Sequence, residues 1–480
     1  MLFNSWSFAL FFLIVVSLYH VSRWRIQNIL LLVASYVFYS FWDWRFTALL
    51  AGSTLVDYFI AIRMESAVTQ PARRRLMFAS ICANLGTLGF FKYYDFFTES
   101  AVSALNSMGV NANVPLLNVV LPVGISFYTF QTLAYTIDVY RGQQKPERDF
   151  ITYALYVCYF PQLVAGPIER ATRLLPQLRA PRHVTQNDWN EGAQLILWGF
   201  VKKVAVADSL ARFVNEAYAD PSAQSTPFLW LAMYCFGLQI YCDFSGYTDI
   251  ARGTSRLFGI RLMENFRQPY FSASITEFWR RWHISLSTWL RDYLYVPLGG
   301  NRHGELKRYR NLMLTMLIGG LWHGAAWTFV LWGGIHGLLL AVHRFLRSQS
   351  QLKDDSNANG LSDRLIYFFK IFATFHIVIL AWIPFRAESW QGMLDYIEGL
   401  LLGQVAHTFN DLVSTGIVDN LIFYGLLVAL IDLLCWTKGR ELPMSMSQHW
   451  LIRSVVYAGG LLVLVFVRGG SGEPFIYFQF

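Results

Sequence analysis

Long apolar runs alternate with short polar turns along almost the whole chain. They lie near residues 6–22, 27–44, 46–62, 76–96 and 116–138, and again near 190–206, 227–248, 311–326, 328–345, 365–385, 418–436 and 452–468. A helix needs about 20 apolar residues to cross a bilayer core of about 30 Å. The pattern therefore predicts twelve helical crossings, an all-α polytopic membrane protein with no repeat visible along it.

The basic residues orient these crossings, because loops on the cytoplasmic side carry the excess of Lys and Arg. Arg23 and Arg25 follow the first run, so that run reads as a crossing with the N-terminus outside rather than as a cleaved leader. Arg63 with Arg73, Arg74 and Arg75 marks one inside loop, and Arg141, Lys145 and Arg148 mark the next. Residues 93–140 and 387–437 hold no Lys or Arg, so the loops near 97–115 and after 386 are expected outside, the second with an interfacial helix near 390–402. Both termini then lie on the outer side. The run 150–166 is flanked by basic residues on both sides and interrupted by Pro161 and Gly166-Pro167. We expect it to be re-entrant or interfacial, since irregular backbone at membrane depth needs protein or a water-filled cavity around it.

Composition agrees. Hydrophobic residues make up 55% of the 480 and charged residues 15%, against about 25% charged in a soluble domain. Aromatics reach 17%, which suits anchoring at two interfaces. The net charge of +8 is concentrated: residues 251–310 carry eleven Lys or Arg against four Asp or Glu. That surface reads as cytoplasmic bias, as a seat for a phosphate-bearing substrate, or as both. Charges set between spans exclude nucleic acid as a partner. The five cysteines form no C-x-x-C pair, so buried structural thiols are expected rather than a zinc site or a disulfide framework.

Costly polar groups in apolar surroundings mark candidate chemistry. In 271–300, FSASITEFWRRWHISLSTWLRDYLYVPLGG, Ser274 and Glu277 have the spacing of a capping box and predict a helix start. Pro297 and Gly299-Gly300 predict its end. One face would then carry Arg280, His283, Ser287 and Arg291, among Trp279, Trp282, Trp289 and Tyr293. An amphipathic anchoring helix explains the arginines but not His283. The run 311–346, at about 54 Å as one helix, is too long for one crossing and should break near its glycines. His323 would sit about 18 Å along from Asn311, deep in the bilayer, beside Trp322, Gly319, Gly320 and Gly324. Small residues there would let another backbone or a thin substrate approach. His336 and His343 read as hydrogen-bonded core residues. In QIYCDFSGYTD, 239–249, Asp243, Ser245, Tyr247 and Asp249 end a predicted span. They could orient a histidine, pair with the arginines of 280–291, or simply give the helix a polar end.

These segments resemble the membrane-bound O-acyltransferase family, especially its bacterial alginate-O-acetylating branch. The resemblance is carried by FWRRWHISLSTWLRDYLYVPLGGNR and GGLWHGAAWTFVLWGGIHG. LPVGISFYTFQTLAYTIDVYRG, FPQLVAGPIER, GFVKKVAVAD, YCDFSGYTDIA and ENFRQPY add to it. It runs from the N-terminus to about residue 390 and leaves the remainder unassigned. It implies a bundle of about eleven to twelve membrane helices with a central tunnel or funnel. The donor would enter from the cytoplasm and the acceptor from outside. It places the family's catalytic histidine on His323 and its second signature position on His283. Within one membrane domain, 1–480, this implies N-terminal helices (1–149), a catalytic core (150–346), a cytoplasmic linker (347–363) and C-terminal helices (364–480).

Acyl transfer to a hydroxyl needs a base and a group that steadies the oxyanion. His323 suits the first task, and His283 or a backbone amide the second or the leaving thiol. No Gly-x-Ser-x-Gly elbow occurs, so direct transfer is expected rather than a serine acyl-enzyme. The resemblance implies acetyl-coenzyme A as donor, with no permanently bound cofactor and no metal. Arg280, Arg281, Arg291, Asp292, Trp282, Trp322, Asp243 and Ser245 are the candidate substrate contacts. The expected setting is a bacterial inner membrane. Its expected partners are lipids, an exported polysaccharide acceptor such as alginate, cellulose or peptidoglycan, a periplasmic SGNH-type acetyltransferase and a polysaccharide-synthesis complex. A polysaccharide or lipid-linked-sugar transporter and a structural secretion subunit are the alternatives.

Overall fold

The computed structural model describes residues 1–302, 304–349, 361–403, 409–442, 450–466 and 475–476, and these contain helices but no strands. The chain packs as two compact units that interleave along the sequence: residues 1–196 with 250–263, and 197–249 with 264–480.

The first unit opens with α1 (Trp6–Val21), α2 (Trp24–Ser40), α3 (Trp44–Ser66) and α4 (Gln70–Leu88). A π-helical turn at Gly89–Tyr93 joins α4 to α5 (Tyr94–Ser107), so helix continues well into the loop expected near 97–115. Then follow α6 (Ile125–Tyr140), α7 (Phe150–Cys158), α8 (Phe160–Leu163) and α9 (Ala171–Arg179). The awkward run 150–166 is thus two short helices, broken at Tyr159, and its residues from Thr152 to Gly166 are buried. It is not one continuous helix, and it lies inside protein rather than on the surface. Buried polar side chains tie α3, α4 and α6 together. Asp57 accepts from Ser80 (2.6 Å) and Asn84 (2.8 Å), and Thr132 donates to Asn84 (2.9 Å). Such bonds hold helices together where no hydrophobic force separates helix from lipid.

Two helices pass from one unit into the other: α10 (Gln186–Phe200) and, after α11 (Asp208–Ala219), the 31-residue α12 (Thr226–Arg256). A π-helical stretch, Val201–Ala207, links α10 to α11. The second unit continues with α13 (Ile275–Arg281), α14 (Ile284–Leu290), α15 (Glu305–His323), α16 (Trp327–Gln349), α17 (Leu361–Ala381) and α18 (Ile383–Arg386). It closes with α19 (Trp390–Leu402), α20 (Phe409–Thr415), α21 (Ile417–Thr437) and α22 (Trp450–Phe466). The helix expected near 390–402 is α19. Most of the linker 347–363 lies outside the described residues.

Among the described residues, four helical stretches are individually long and apolar enough to cross a membrane: Trp44–Ser66, Trp327–Ser348, Ser362–Arg386 and Ile417–Thr437. Large apolar side chains crowd their outer faces, among them Phe368, Phe369 and Phe372 on α17. Soluble monomers rarely expose large apolar patches, and with these helices this is a membrane protein. Four cysteines are buried, as expected, but Cys82 is exposed on α4 because that helix turns it away from its neighbours.

Candidate active site

The site belongs to the second unit and is built around two breaks in helix. The first corrects the expectation of one continuous helix from 275 onward. α13 starts as the capping box predicts: Ser274 Oγ accepts from the Glu277 amide (3.2 Å), and Glu277 Oε2 accepts from the Ala273 amide (2.9 Å). It then stops after Arg281, and α14 begins at Ile284. Between them His283 takes a left-handed conformation, φ 43° and ψ 55°. Among residues with a Cβ this region is sparsely populated, and strain of this kind concentrates at functional sites.

Asn265 clamps that break. Its backbone oxygen accepts from the Ile284 amide (2.9 Å). Its side-chain oxygen accepts from the Ser285 amide (3.1 Å), from Ser285 Oγ (2.9 Å) and from His283 Nδ1 (3.2 Å). An amide oxygen only accepts, so Nδ1 of a neutral His283 carries the proton and Nε2 keeps its lone pair. His283 is completely buried.

The second break falls where the glycines predict it. α15 ends at His323, Gly324 is extended, and α16 starts at Trp327. Gly320 and Gly333 let backbone approach closely. A Cβ on Gly320 would meet the Phe329 carbonyl oxygen at 2.2 Å, and one on Gly333 would meet the Met316 oxygen at 2.2 Å. The two helices therefore lie against each other as a tight hairpin that fixes His323 at its turn.

The breaks bring the two histidines together. Their ring centroids lie 6.3 Å apart, with the Trp322 ring 5.0 Å from His323 and 6.0 Å from His283. Trp332 and Phe385 approach His323 edge-on at 5.1 and 5.3 Å. Trp282 is buried behind them, 5.0 Å from both Phe266 and Trp382. His336 is also fully buried, ringed by Trp279 (5.2 Å) and Trp332 (4.8 Å) rather than hydrogen-bonded within the described residues. His343 Nδ1 bonds Thr276 Oγ1 (2.9 Å).

Other candidates fall elsewhere. The stretch 239–249 does not end a helix, since α12 runs on to Arg256. Asp243 neither orients a histidine nor meets the arginines of 280–291. Lys203 claims it (2.6 Å) together with Asp208 (2.8 Å), and all three side chains are buried. Lys202 pairs with Asp249 and donates to Ser245 (3.1 Å). What this segment gives the site is Phe244, whose ring stands edge-on to His283 at 4.7 Å. Of the arginines, Arg281 is paired with Glu277 (2.6 Å) and Arg291 with Asp292 (2.7 Å), while Arg280 is exposed. Sequence reasoning missed Asn265, Phe244 and Phe385. Asn265 stood in a quoted stretch, ENFRQPY, but nothing local to it shows that its partner is a helix break.

Two imidazoles thus lie buried together in a helical membrane protein, one at a strained break between helices and one at a helix end. Comparison with known proteins completes the identification. Residues 147–383 match the family model described as MBOAT, membrane-bound O-acyltransferase family. The chain is 45% identical over 392 residues to "Probable alginate O-acetylase AlgI" of Pseudomonas putida, covering 81% of this chain and 78% of that one. It is 33% identical to the peptidoglycan O-acetyltransferase of Helicobacter pylori over 94% of this chain and 91% of that one. It is 28% identical to the teichoic acid D-alanyltransferase of Streptococcus thermophilus, over 58% and 70%. The chain belongs to the membrane-bound O-acyltransferase family and is an acyltransferase.

Proposed function

We propose that this chain transfers an acetyl group from acetyl-coenzyme A at the cytoplasmic face to a hydroxyl at the opposite face of a bacterial inner membrane. The acceptor is an exported polysaccharide, reached directly or through a serine of a periplasmic SGNH-type partner. The observation that carries this reading is the buried pair His283–His323. The names of the relatives favour acetyl as the group and alginate as the polymer. Peptidoglycan is the second reading, favoured because the peptidoglycan relative matches 94% of this chain, including the stretch beyond residue 390.

In this mechanism His323 takes the proton of the acceptor hydroxyl as its oxygen attacks the thioester carbonyl. The tetrahedral oxyanion faces amides at the start of α16, the positive end of that helix. The C–S bond then breaks, and the imidazolium returns the proton to the departing thiolate, so no net proton is consumed. The tautomer imposed by Asn265 makes Nε2 of His283 an acceptor. That suits holding a thiol or hydroxyl proton, not the oxyanion. Arg280 is the arginine best placed to meet donor phosphates, because its two neighbours already hold carboxylates.

Sealed vesicles of known orientation test the proposal. Radiolabelled acetyl-coenzyme A is supplied on the cytoplasmic face, and acceptor oligosaccharide, with or without the SGNH partner, on the other. Label should appear on the acceptor only when the donor is on that face. Movement of unmodified sugar without acetyl transfer would support the transporter reading instead.

A further inference from the structure

Away from the two histidines, the second unit has a cavity of about 460 Å³ between α12, α17 and α21, within the range of small-molecule sites. Its walls are apolar, with Leu238 from α12, Phe375 from α17 and Leu421 from α21 among them. Ile422 and Leu426, which also line it, are 56% and 57% exposed on α21, a helix long and apolar enough to cross the membrane. The mouth therefore opens on the bilayer, and an occupant enters from lipid rather than from water. Its lining follows α21 from Leu421 to Asp432, about 16 Å of helix. That matches the depth of one leaflet, half of a hydrocarbon core of about 30 Å.

Two residues of α21 shape this space. Gly425 lines it, and a Cβ there would meet no atom within 4 Å. Glycine weakens a helix interior, and no backbone approach requires it here, in contrast to Gly333. What it leaves is room. Asp432 also lines the cavity and is only 6% exposed. Its Oδ2 accepts from Tyr241 Oη (2.8 Å), and Tyr241 is its one hydrogen-bond partner among the described residues, which leaves Oδ1 to the cavity. Lys202, beside the Tyr241 ring at 5.8 Å, is already held by Asp249 and Ser245. A buried carboxylate without a cation against it is costly, and an ammonium would both neutralise it and donate to it. Asp432 lies about 8 Å short of the end of α21. Just beyond it Trp436 stacks on Phe271 (5.6 Å) and Tyr367 (6.3 Å), the kind of aromatic cluster that marks a membrane interface.

We propose that this cavity seats an acyl chain of an aminophospholipid, whose ammonium turns inward from the headgroup level to pair with Asp432. Lys438 and Arg440 follow α21 at this end, which puts the lipid in the cytoplasmic leaflet by the excess of basic residues on that side. An anionic headgroup would meet the carboxylate with like charge, and a quaternary ammonium has no N–H to give it. The seated lipid backs the aromatic wall behind the second histidine: Tyr241 stands 6.0 Å from Phe266 and 6.2 Å from Trp282, and Phe266 stacks on His283 at 6.4 Å. Its binding requires neither the acyl donor nor the acceptor.

The test is lipid binding to the full-length protein, followed by native mass spectrometry from detergent. One probe is dioleoyl phosphatidylethanolamine, and the other is the same lipid with its amine acetylated, which removes the positive charge and keeps the chains and the phosphate. The wild type should hold the free amine at least about ten-fold more tightly, the size of one charged hydrogen-bonded pair. Asp432→Asn should lose that preference, and Gly425→Phe, which fills the cavity, should lose the tightly bound lipid. The free-amine lipid should raise the thermal midpoint of the wild type but not that of Gly425→Phe. Midpoints in lipid-free detergent show that each variant is folded, and the wild-type contrast between the two lipids stands without either variant. Equal affinities for the two lipids, a preference kept by Asp432→Asn, or lipid held at wild-type strength by Gly425→Phe would overturn the proposal. So would tighter binding of an isoprenoid phosphate, which would make the cavity a place for a lipid-linked substrate instead.

Discussion

His283 Nδ1 lies 3.2 Å from Asn265 Oδ1, and the same amide oxygen accepts from both the amide and the hydroxyl of Ser285. One side chain thus sets the tautomer of the second histidine and closes the helix break that positions it. Asn265→Ala should lower kcat by about ten- to a hundred-fold through misplacement of His283, with a smaller change in donor KM. Asn265→Asp keeps an acceptor at the same place and should recover most of the loss. Steady-state kinetics on the purified pair decides this.

The arginines separate by their partners. Arg280→Gln should raise the donor KM more than Arg281→Gln does, because Arg281 is already committed to Glu277 at 2.6 Å. Loss of one phosphate contact corresponds to about ten-fold in KM. Equal effects of the two substitutions would remove Arg280 from the donor site.

The hairpin of α15 and α16 depends on backbone contact. Gly333→Ala would drive a Cβ to 2.2 Å from the Met316 carbonyl oxygen. It should lower the thermal midpoint and the activity together. Gly334→Ala, whose Cβ would meet only a Leu317 side chain at 3.4 Å, should leave both nearly unchanged.

Much of this architecture was legible in the chain. The places of α16, α17, α21 and α22 follow from the apolar runs, though α16 runs four residues further and α17 starts four residues earlier than its run, and the break after His323 follows from the glycines and a run too long for one crossing. The break at His283 was not legible. Alternating Arg, Trp and Ser residues satisfy a helical face, and only a distant side chain, Asn265, makes the interruption worthwhile. Asp243 misled for the same reason: its partner Lys203 lies in a π-helical stretch whose register no periodicity predicts. Local pattern fixes helices, whereas sites are made by contacts far apart in sequence.

Outside the spans, Asp188 anchors the start of α10. It accepts from the Thr185 amide (3.1 Å) and hydroxyl (2.7 Å), and pairs with Arg261 (3.1 Å). Burial raises its pKa, but these hydrogen bonds and the Arg261 charge outweigh burial and hold it below the usual carboxylate value of 3.8. A depressed pKa stabilises above the unfolded value, and that stability is lost as pH falls through the folded one. The thermal midpoint of the wild type should therefore drop as pH falls below about 4. Asp188→Asn should start lower and lose less over the same range.

The central claim is that His323 moves the proton in acyl transfer, and the most direct measurement is single-turnover acetyl transfer by His323→Gln in nanodiscs. Glutamine keeps the size and polarity of the side chain but cannot exchange a proton at neutral pH. The account predicts a rate at least about a hundred-fold below wild type, with an unchanged thermal midpoint and unchanged donor affinity. A folded His323→Gln protein that transfers acetyl within a few-fold of wild type would contradict it.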